Sequence, residues 1–162
     1  MPQNGRLTIC DEGKGIDLCG ADELLIIGDH NIENVLAAAA ISYFAGIGPD
    51  VIGRTIKVFA GVEHRIEYCG TVDGVKYYND SKGTNIDASL TAIRALKKNI
   101  ILIAGGDAKG QVFDTFIAQF GGAVKRMLVL GRDGKLITDA ADRNGFTDYE
   151  VCRDLPECVR RA

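Results

Sequence analysis

NIILIAGG (residues 99–106) and RMLVLG (residues 126–131) decide the fold. Both runs are apolar at successive rather than alternate positions, so each strand must bury both of its faces. Glycines end them: Gly105 and Gly106 close the first, Gly131 the second. Around them lie segments of helical period, one from about Asn85 to Leu96, one around 113–120 and one around 134–143. A short YEVC (149–152) follows, and Pro156 opens a last helical piece. Buried strands alternating with helices predict a doubly wound, mostly parallel α/β sheet covered on its faces. This domain begins near residue 62 with a hairpin, because RIEYCGTV (65–72) and VKYYN (75–79) flank Asp73-Gly74, whose residues tolerate positive φ.

The first sixty residues read differently. RLTIC (6–10) and DELLII (22–27) are strand-like and separated by Gly- and Asp-rich turns. From His30, apolar Ile32, Val35, Leu36, Ala39 and Ala40 recur at three- and four-residue spacing, which predicts a helix to about Ala45. Gly46 and Gly48 end it, and Pro49 suits the first turn of a second helix reaching about Phe59. AGVEHR (60–65) is a connector. Residues 1–60 therefore read as the tail of a different domain.

Composition bounds the function. The 162 residues are 46% hydrophobic and 25% charged with a net charge of −3, enough for a real core. Lysines and arginines are dispersed, which argues against nucleic acid or an anionic membrane as partner. No apolar run is long enough to cross a bilayer, and MPQNGRLTIC lacks the apolar core of a signal peptide. The five cysteines are scattered without a CxxC pair, so free thiols in a reducing compartment are expected rather than disulfides or zinc.

Three loops carry candidate chemistry. NDSKGTN (79–85) follows a strand and precedes a helix, where free N–H groups and the helix dipole favour an anion. Lys82 adds a mobile cation, Asp80 an acceptor for ribose hydroxyls or a magnesium shell, and Thr84 and Asn85 either cap the helix or hold an anionic group. The competing reading is a plain turn and cap. AGGDAKG (104–110) sets Lys109 in a Gly-rich strand end, again an anion site or simply a solvated lysine on a turn. The two lysine loops are expected on consecutive strand ends of one sheet. In GDHNIENVL (28–36), Asn31 and Asn34 share one helix face and could present paired amides to a purine edge, or cap the helix. His64 and Arg65 stand in the connector. Arg65 suits bidentate binding of phosphate or carboxylate, or a surface ion pair with Glu63 or Glu67.

The order HNxxN, a helical pair, HR, NDSKGTN and AGGDAKG resembles the Mur ligase family from residue 28 to the end. The DSKGTN loop points to the branch that adds D-glutamate to UDP-N-acetylmuramoyl-L-alanine. One departure is Ala108, where family members often carry Asp directly before the lysine. The resemblance implies a Rossmann-like C-terminal domain at 61–162, stopping before its final strand, preceded at 1–60 by the remnant of a central ATPase domain. No GxxxxGK[ST] occurs in the chain. It further implies an ATP- and Mg2+-dependent ligation through an acyl phosphate, in a cytoplasmic, monomeric parent whose other domains belong to the same polypeptide. By position, Asn31, Asn34, Arg65 and Asp80 would meet the nucleotide. Lys82, Thr84 and Lys109 would receive D-glutamate, with Lys82, His64 and Arg65 at the reacting groups. This chain alone is then expected to be inactive. The alternatives are a stand-alone nucleotide-binding or regulatory module and a scaffold without ligand.

Overall fold

The computed structural model describes residues 4–162; residues 1–3, which enter the reading of the N-terminus as lacking a signal peptide, lie outside the described residues. The chain divides into two compact units, Met1–Asp80 and Ser81–Ala162.

The first unit opens with strands β1 (Arg6–Asp11) and β2 (Lys14–Gly20), an antiparallel hairpin turned by Glu12 and Gly13, both at positive φ. Helices α1 (Asp29–Phe44) and α2 (Pro49–Val58) follow. Leu7, Ile9 and Cys19 of the hairpin pack with Val35, Ala39, Ile52 and Ile56 in one core. A Cβ on Gly53 would stand 2.8 Å from the Leu18 carbonyl oxygen, so only glycine lets α2 lie this close to β2. RLTIC is a strand as expected, but DELLII is not. Residues 21–23 form a single 3-10 turn, and the second strand is KGIDLCG instead. The Glu23 carboxylate accepts the Gly20 N–H at 2.7 Å and turns the chain away from the sheet. The unit ends with β3 (Glu67–Val72) and β4 (Val75–Asn79), paired around Asp73 and Gly74, both at positive φ.

The second unit carries α3 (Ile86–Leu96), β5 (Ile100–Gly105), α4 (Asp114–Ala118), β6 (Val124–Leu130), α5 (Gly134–Arg143), β7 (Tyr149–Val151) and α6 (Leu155–Arg161). Its sheet runs β5-β6-β7, all parallel. The central strand shows why both faces had to be apolar. Met127 and Val129 point into a core with Leu90 and Ile93 of α3, Phe116 and Ile117 of α4, and Ile137, Ala140 and Ala141 of α5. Leu128 faces the other way, onto Cys152 and Cys158. Met127, Leu128 and Val129 are fully buried, roughly 1.5–3 kcal/mol of transfer free energy each. This is the α/β sheet with both faces covered that the two runs predict. β4, however, pairs only with β3, so the two lysine loops do not end consecutive strands of one sheet. The mixed polarity of VKYYN suits a hairpin strand, unlike the all-apolar β5.

Among the described residues, no helix is long and apolar enough to cross a membrane.

Candidate functional site

The residues singled out from the sequence fall into separate groups, two in the first unit and two in the second. In the first, a cavity of about 1090 Å³ is bounded by α1, α2, the connector and the hairpin. Its walls are mostly apolar, among them Leu25, Ile47 and Phe59, and its polar lining includes Asn31, Asn34 and Arg65. The expected shared face of Asn31 and Asn34 is thus present. Neither caps α1, whose N-cap is Gly28 with no side-chain bond. The Asn31 amide donates back to the Ile27 carbonyl at 2.7 Å, which orients its own oxygen. Arg65 does not form the ion pair with Glu63 or Glu67 that was its alternative. Its guanidinium has no carboxylate partner among the described residues.

Glu67 is engaged elsewhere. It accepts the His64 N–H at 2.8 Å and the Asn79 amide at 3.3 Å. The Asn79 amide also meets His64 Nδ1 at 2.8 Å, so Nε2 is the ring nitrogen left without a partner among the described residues. Asp80 accepts the Ile66 N–H at 3.0 Å. These bonds hold an unusual backbone: His64 (φ 65°) and the β-branched, buried Ile66 (φ 45°) both lie in the left-handed region. Such positions cost of order 1–3 kcal/mol each and persist only where the surroundings over-determine them. Asn79 and Asp80 therefore serve first to fix the connector, and Asp80 keeps one oxygen uncommitted.

In the second unit, Asn85 is the N-cap of α3, its side chain accepting the Ala88 N–H at 2.8 Å. That settles its open reading in favour of the cap. The turn before it closes through the Thr84 N–H and the Lys82 carbonyl at 2.9 Å. The Lys82 and Thr84 side chains are exposed, and Lys82 makes no ion pair among the described residues.

The 105–111 loop is more rigid than its glycines suggest. A Cβ on Gly105 would lie 1.8 Å from the Leu130 carbonyl oxygen, so glycine here serves a close strand approach. Ala108 is buried, and its N–H donates to Asp133 Oδ2 at 2.9 Å. The Lys109 N–H donates to Asp107 Oδ1 at 3.0 Å, and Lys109 itself has φ 47°. Gln111 reaches back to α3, its side-chain oxygen accepting the Ile86 N–H at 2.9 Å. Arg132 pairs with both Asp107 and Asp133 at 3.0 Å. The Arg132 hydrogen bond, with help from the Ala108 N–H, holds the Asp133 carboxyl down to about 2. Lys109 is exposed and without an ion pair among the described residues. Gln111, Arg132 and Asp133 escape a reading by motif; the available signal is GRDG (131–134), a second glycine-marked strand end beside the first.

No group of three or more His, Cys, Asp or Glu side chains among the described residues could hold a metal ion.

Comparison with known proteins gives the family. The profile described as "Mur ligase, glutamate ligase domain" matches residues 64–162. The UDP-N-acetylmuramoylalanine–D-glutamate ligase of Thermoanaerobacter sp. (strain X514) is 44% identical over 162 residues, covering 99% of this chain and 36% of that protein. The ligase of the same name from Alkaliphilus metalliredigens is 44% identical over 159 residues, covering 98% of this chain and 35% of the relative. The chain thus spans about a third (35–36%) of the length of these curated relatives. Among solved structures, the UDP-N-acetylmuramate-alanine ligase of Thermotoga maritima aligns at TM-score 0.70 with 18% identity, over 91% of this chain and 34% of that one. The folylpolyglutamate synthase of Thermotoga maritima aligns at TM-score 0.67 with 22% identity, over 97% and 38%. At these identities the two structures speak for the fold alone. With the profile covering more than half of its residues, this chain belongs to the Mur ligase family, through that family's glutamate ligase domain.

Proposed function

We propose that the chain is a segment of an ATP-dependent ligase that adds D-glutamate to UDP-N-acetylmuramoyl-L-alanine, a step of peptidoglycan precursor synthesis in the cytoplasm. The observation that carries it is a coincidence of two facts. Relatives named for this reaction are 44% identical across almost the whole chain. At three positions where the motifs call for ligand contacts, this chain holds cations without a protein partner among the described residues, namely Arg65, Lys82 and Lys109. Residues 1–60 then correspond to the end of a central ATP-binding domain and 61–162 to the C-terminal domain, and the remaining domains of the parent lie on the same polypeptide.

The chemistry required is positioning and charge neutralisation. ATP would supply the phosphoryl group that turns the substrate carboxylate into an acyl phosphate with release of ADP, and the amine of D-glutamate would attack the acyl carbon, forming the amide as inorganic phosphate leaves. The cavity fits the adenosine end, with apolar walls for the base and the Asn31 and Asn34 amides for its edge. Arg65 is free to meet ribose or phosphate in a bidentate manner, and the second oxygen of Asp80 to accept from a hydroxyl. His64, next to Arg65 in the chain, has Nδ1 engaged by Asn79 and Nε2 left for a ligand. Lys82 and Thr84 offer a cation and a hydroxyl at the start of α3, where the helix dipole adds to the field on an anion. Lys109 completes the set for the D-glutamate carboxylates. Among the described residues the carboxylates do not by themselves fit magnesium, because Asp80 has only one uncommitted oxygen and no acidic cluster accompanies it. Mg2+ is then brought by the nucleotide phosphates.

This chain alone, without a phosphate-cradling GxxxxGK[ST], binds nucleotide only at its adenosine end. Affinity on the order of millimolar, about −4 kcal/mol, follows from so partial a contact set. A second reading is kept by the cavity itself, which is lined wholly by residues of the first unit: a nucleotide-binding module without catalysis. Calorimetry with ATP and magnesium on this chain, beside phosphate release by the full-length protein with and without D-glutamate, separates the two. Millimolar binding with D-glutamate-dependent release in the full-length protein supports the ligase. Micromolar binding and no such release would leave the module.

A further inference from the structure

We propose that Asp133 is a positioning residue: through the backbone of the 105–111 loop it fixes where Lys109 stands, and Arg132 locks it in place. The proposal rests on the assignment of Lys109 to the amino-acid substrate.

Asp133 occupies the N-cap position of α5, and Asp is among the residues that ordinarily cap a helix there. Its carboxylate makes no capping bond to α5. It is turned the other way, accepting the Ala108 N–H at 2.9 Å, while its own N–H donates to the Gly106 carbonyl at 3.3 Å. A residue that forgoes its local partner for a distant loop is doing so at the expense of α5, and the beneficiary lies one residue from Lys109.

The two strand ends are built to permit this. A Cβ on Gly131 would stand 2.8 Å from the Gly106 nitrogen, as one on Gly105 would collide with Leu130. Arg132 then joins the two sides. Its Nε and Nη2 donate to Asp133 at 3.0 and 3.1 Å, and its guanidinium meets Asp107 at 3.0 Å. Asp107 in turn accepts the Lys109 N–H. The amides of residues 108 and 109 are thereby both pinned, one by each carboxylate of the Asp107–Arg132–Asp133 set. With Lys109 at φ 47°, a conformation rarely adopted without glycine, these pins select the direction in which its side chain leaves the loop. The ammonium stays outside the network, available to a ligand.

The test uses the full-length ligase that carries this segment, with D-glutamate as the varied substrate. Asp133→Asn keeps the shape and removes the charge. It is expected to raise KM for D-glutamate about tenfold while kcat stays within about twofold, the range expected when the support of a ligand group is loosened. Lys109→Ala raises the same KM, and adding Asp133→Asn to it produces no further rise, because both act through one ammonium. A normal KM in Asp133→Asn, with Lys109→Ala still impaired, overturns the positioning role and leaves Lys109 standing. An unchanged KM in Lys109→Ala overturns both. Should Asp133→Asn not fold, Arg132→Gln serves, since Arg132 is 72% exposed. It is expected to raise KM about threefold and to speed hydrogen exchange at the Ala108 amide. Unchanged KM and exchange in that variant would refute the lock.

Discussion

The 79–85 loop commits its own polar side chains to its surroundings, whereas the 105–111 loop is held by residues of another strand end. In the first, Asn79 and Asp80 tie down the connector and Asn85 caps α3. Lys82 and Thr84 are what remains. In the second, the loop is glycine-rich and its anchors are Asp133 and Arg132, with Gln111 joining it to α3. Both end with an exposed lysine on a defined backbone. A dense polar stretch and a sparse one can therefore leave the same kind of group exposed, and the residues proposed to meet ligand are those the scaffold does not use.

If that contrast is right, removing a leftover residue should hurt function, and removing an anchor should hurt stability or substrate affinity. The largest effect is expected for Lys82→Ala in the full-length ligase. A charge-assisted contact to a reacting phosphoryl or carboxylate group is lost, and kcat should fall about 10²–10³-fold with an unchanged melting temperature. Turnover near the parent value would remove Lys82 from the chemistry. Next is Gly105→Ala. The added methyl meets backbone, which has no rotamer to escape into, and about 3 kcal/mol of unfolding free energy should disappear in a urea titration. A smaller loss would mean that β5 and β6 separate easily. Lys109→Ala is expected to raise KM for D-glutamate about thirtyfold, near 2 kcal/mol, with little change in stability. Asn85→Ala deletes the cap of α3 and should cost about 1 kcal/mol of stability, read by thermal unfolding.

The smallest effect is a pH dependence that distinguishes the loops. Asp133 is depressed from 3.8 to about 2, chiefly by the Arg132 hydrogen bond. A depressed carboxyl contributes stability that is fully present above its unfolded value and lost as pH falls through its folded one. The contribution should hold down to about pH 4 and vanish towards pH 2, with the Ala108 amide losing exchange protection in that window. Protection unchanged at pH 2 would show that the carboxylate is not what holds the loop.

Much of this was readable from residues alone, for identifiable reasons. The α5 segment shows itself by apolar spacing, and its observed span, Gly134–Arg143, is the expected one. The β3–β4 turn is announced by Asp73-Gly74, which need positive φ and adopt it. β2 is hidden because KGIDLCG has too many glycines and charges to look like a strand; its pairing with β1 decides it. DELLII looks like a strand because it is apolar over four residues, of which Leu24 and Ile26 serve the core from a bend. At the site, Asn31, Asn34 and Arg65 do line one cavity. Asp133 stays invisible because an Asp before a helix reads as a cap, and only the folded structure reveals that its carboxylate faces Ala108 instead.

The pairing of the strands also bears on how the chain folds. Val72 pairs with Val75 and Asp11 with Lys14, so each hairpin zips from a turn already shaped for it. Formation on the microsecond scale is expected for such contacts. Ile100, by contrast, pairs with Val124 across an intervening helix, and Met127 with Tyr149 across another. Closing those longer loops carries an entropic cost before any pairing returns it. The parallel sheet, which carries the Lys109 loop at its end, is therefore expected to be the last part to assemble, leaving β6, the strand with the most buried positions in the native sheet, exposed longest to intermolecular association during refolding.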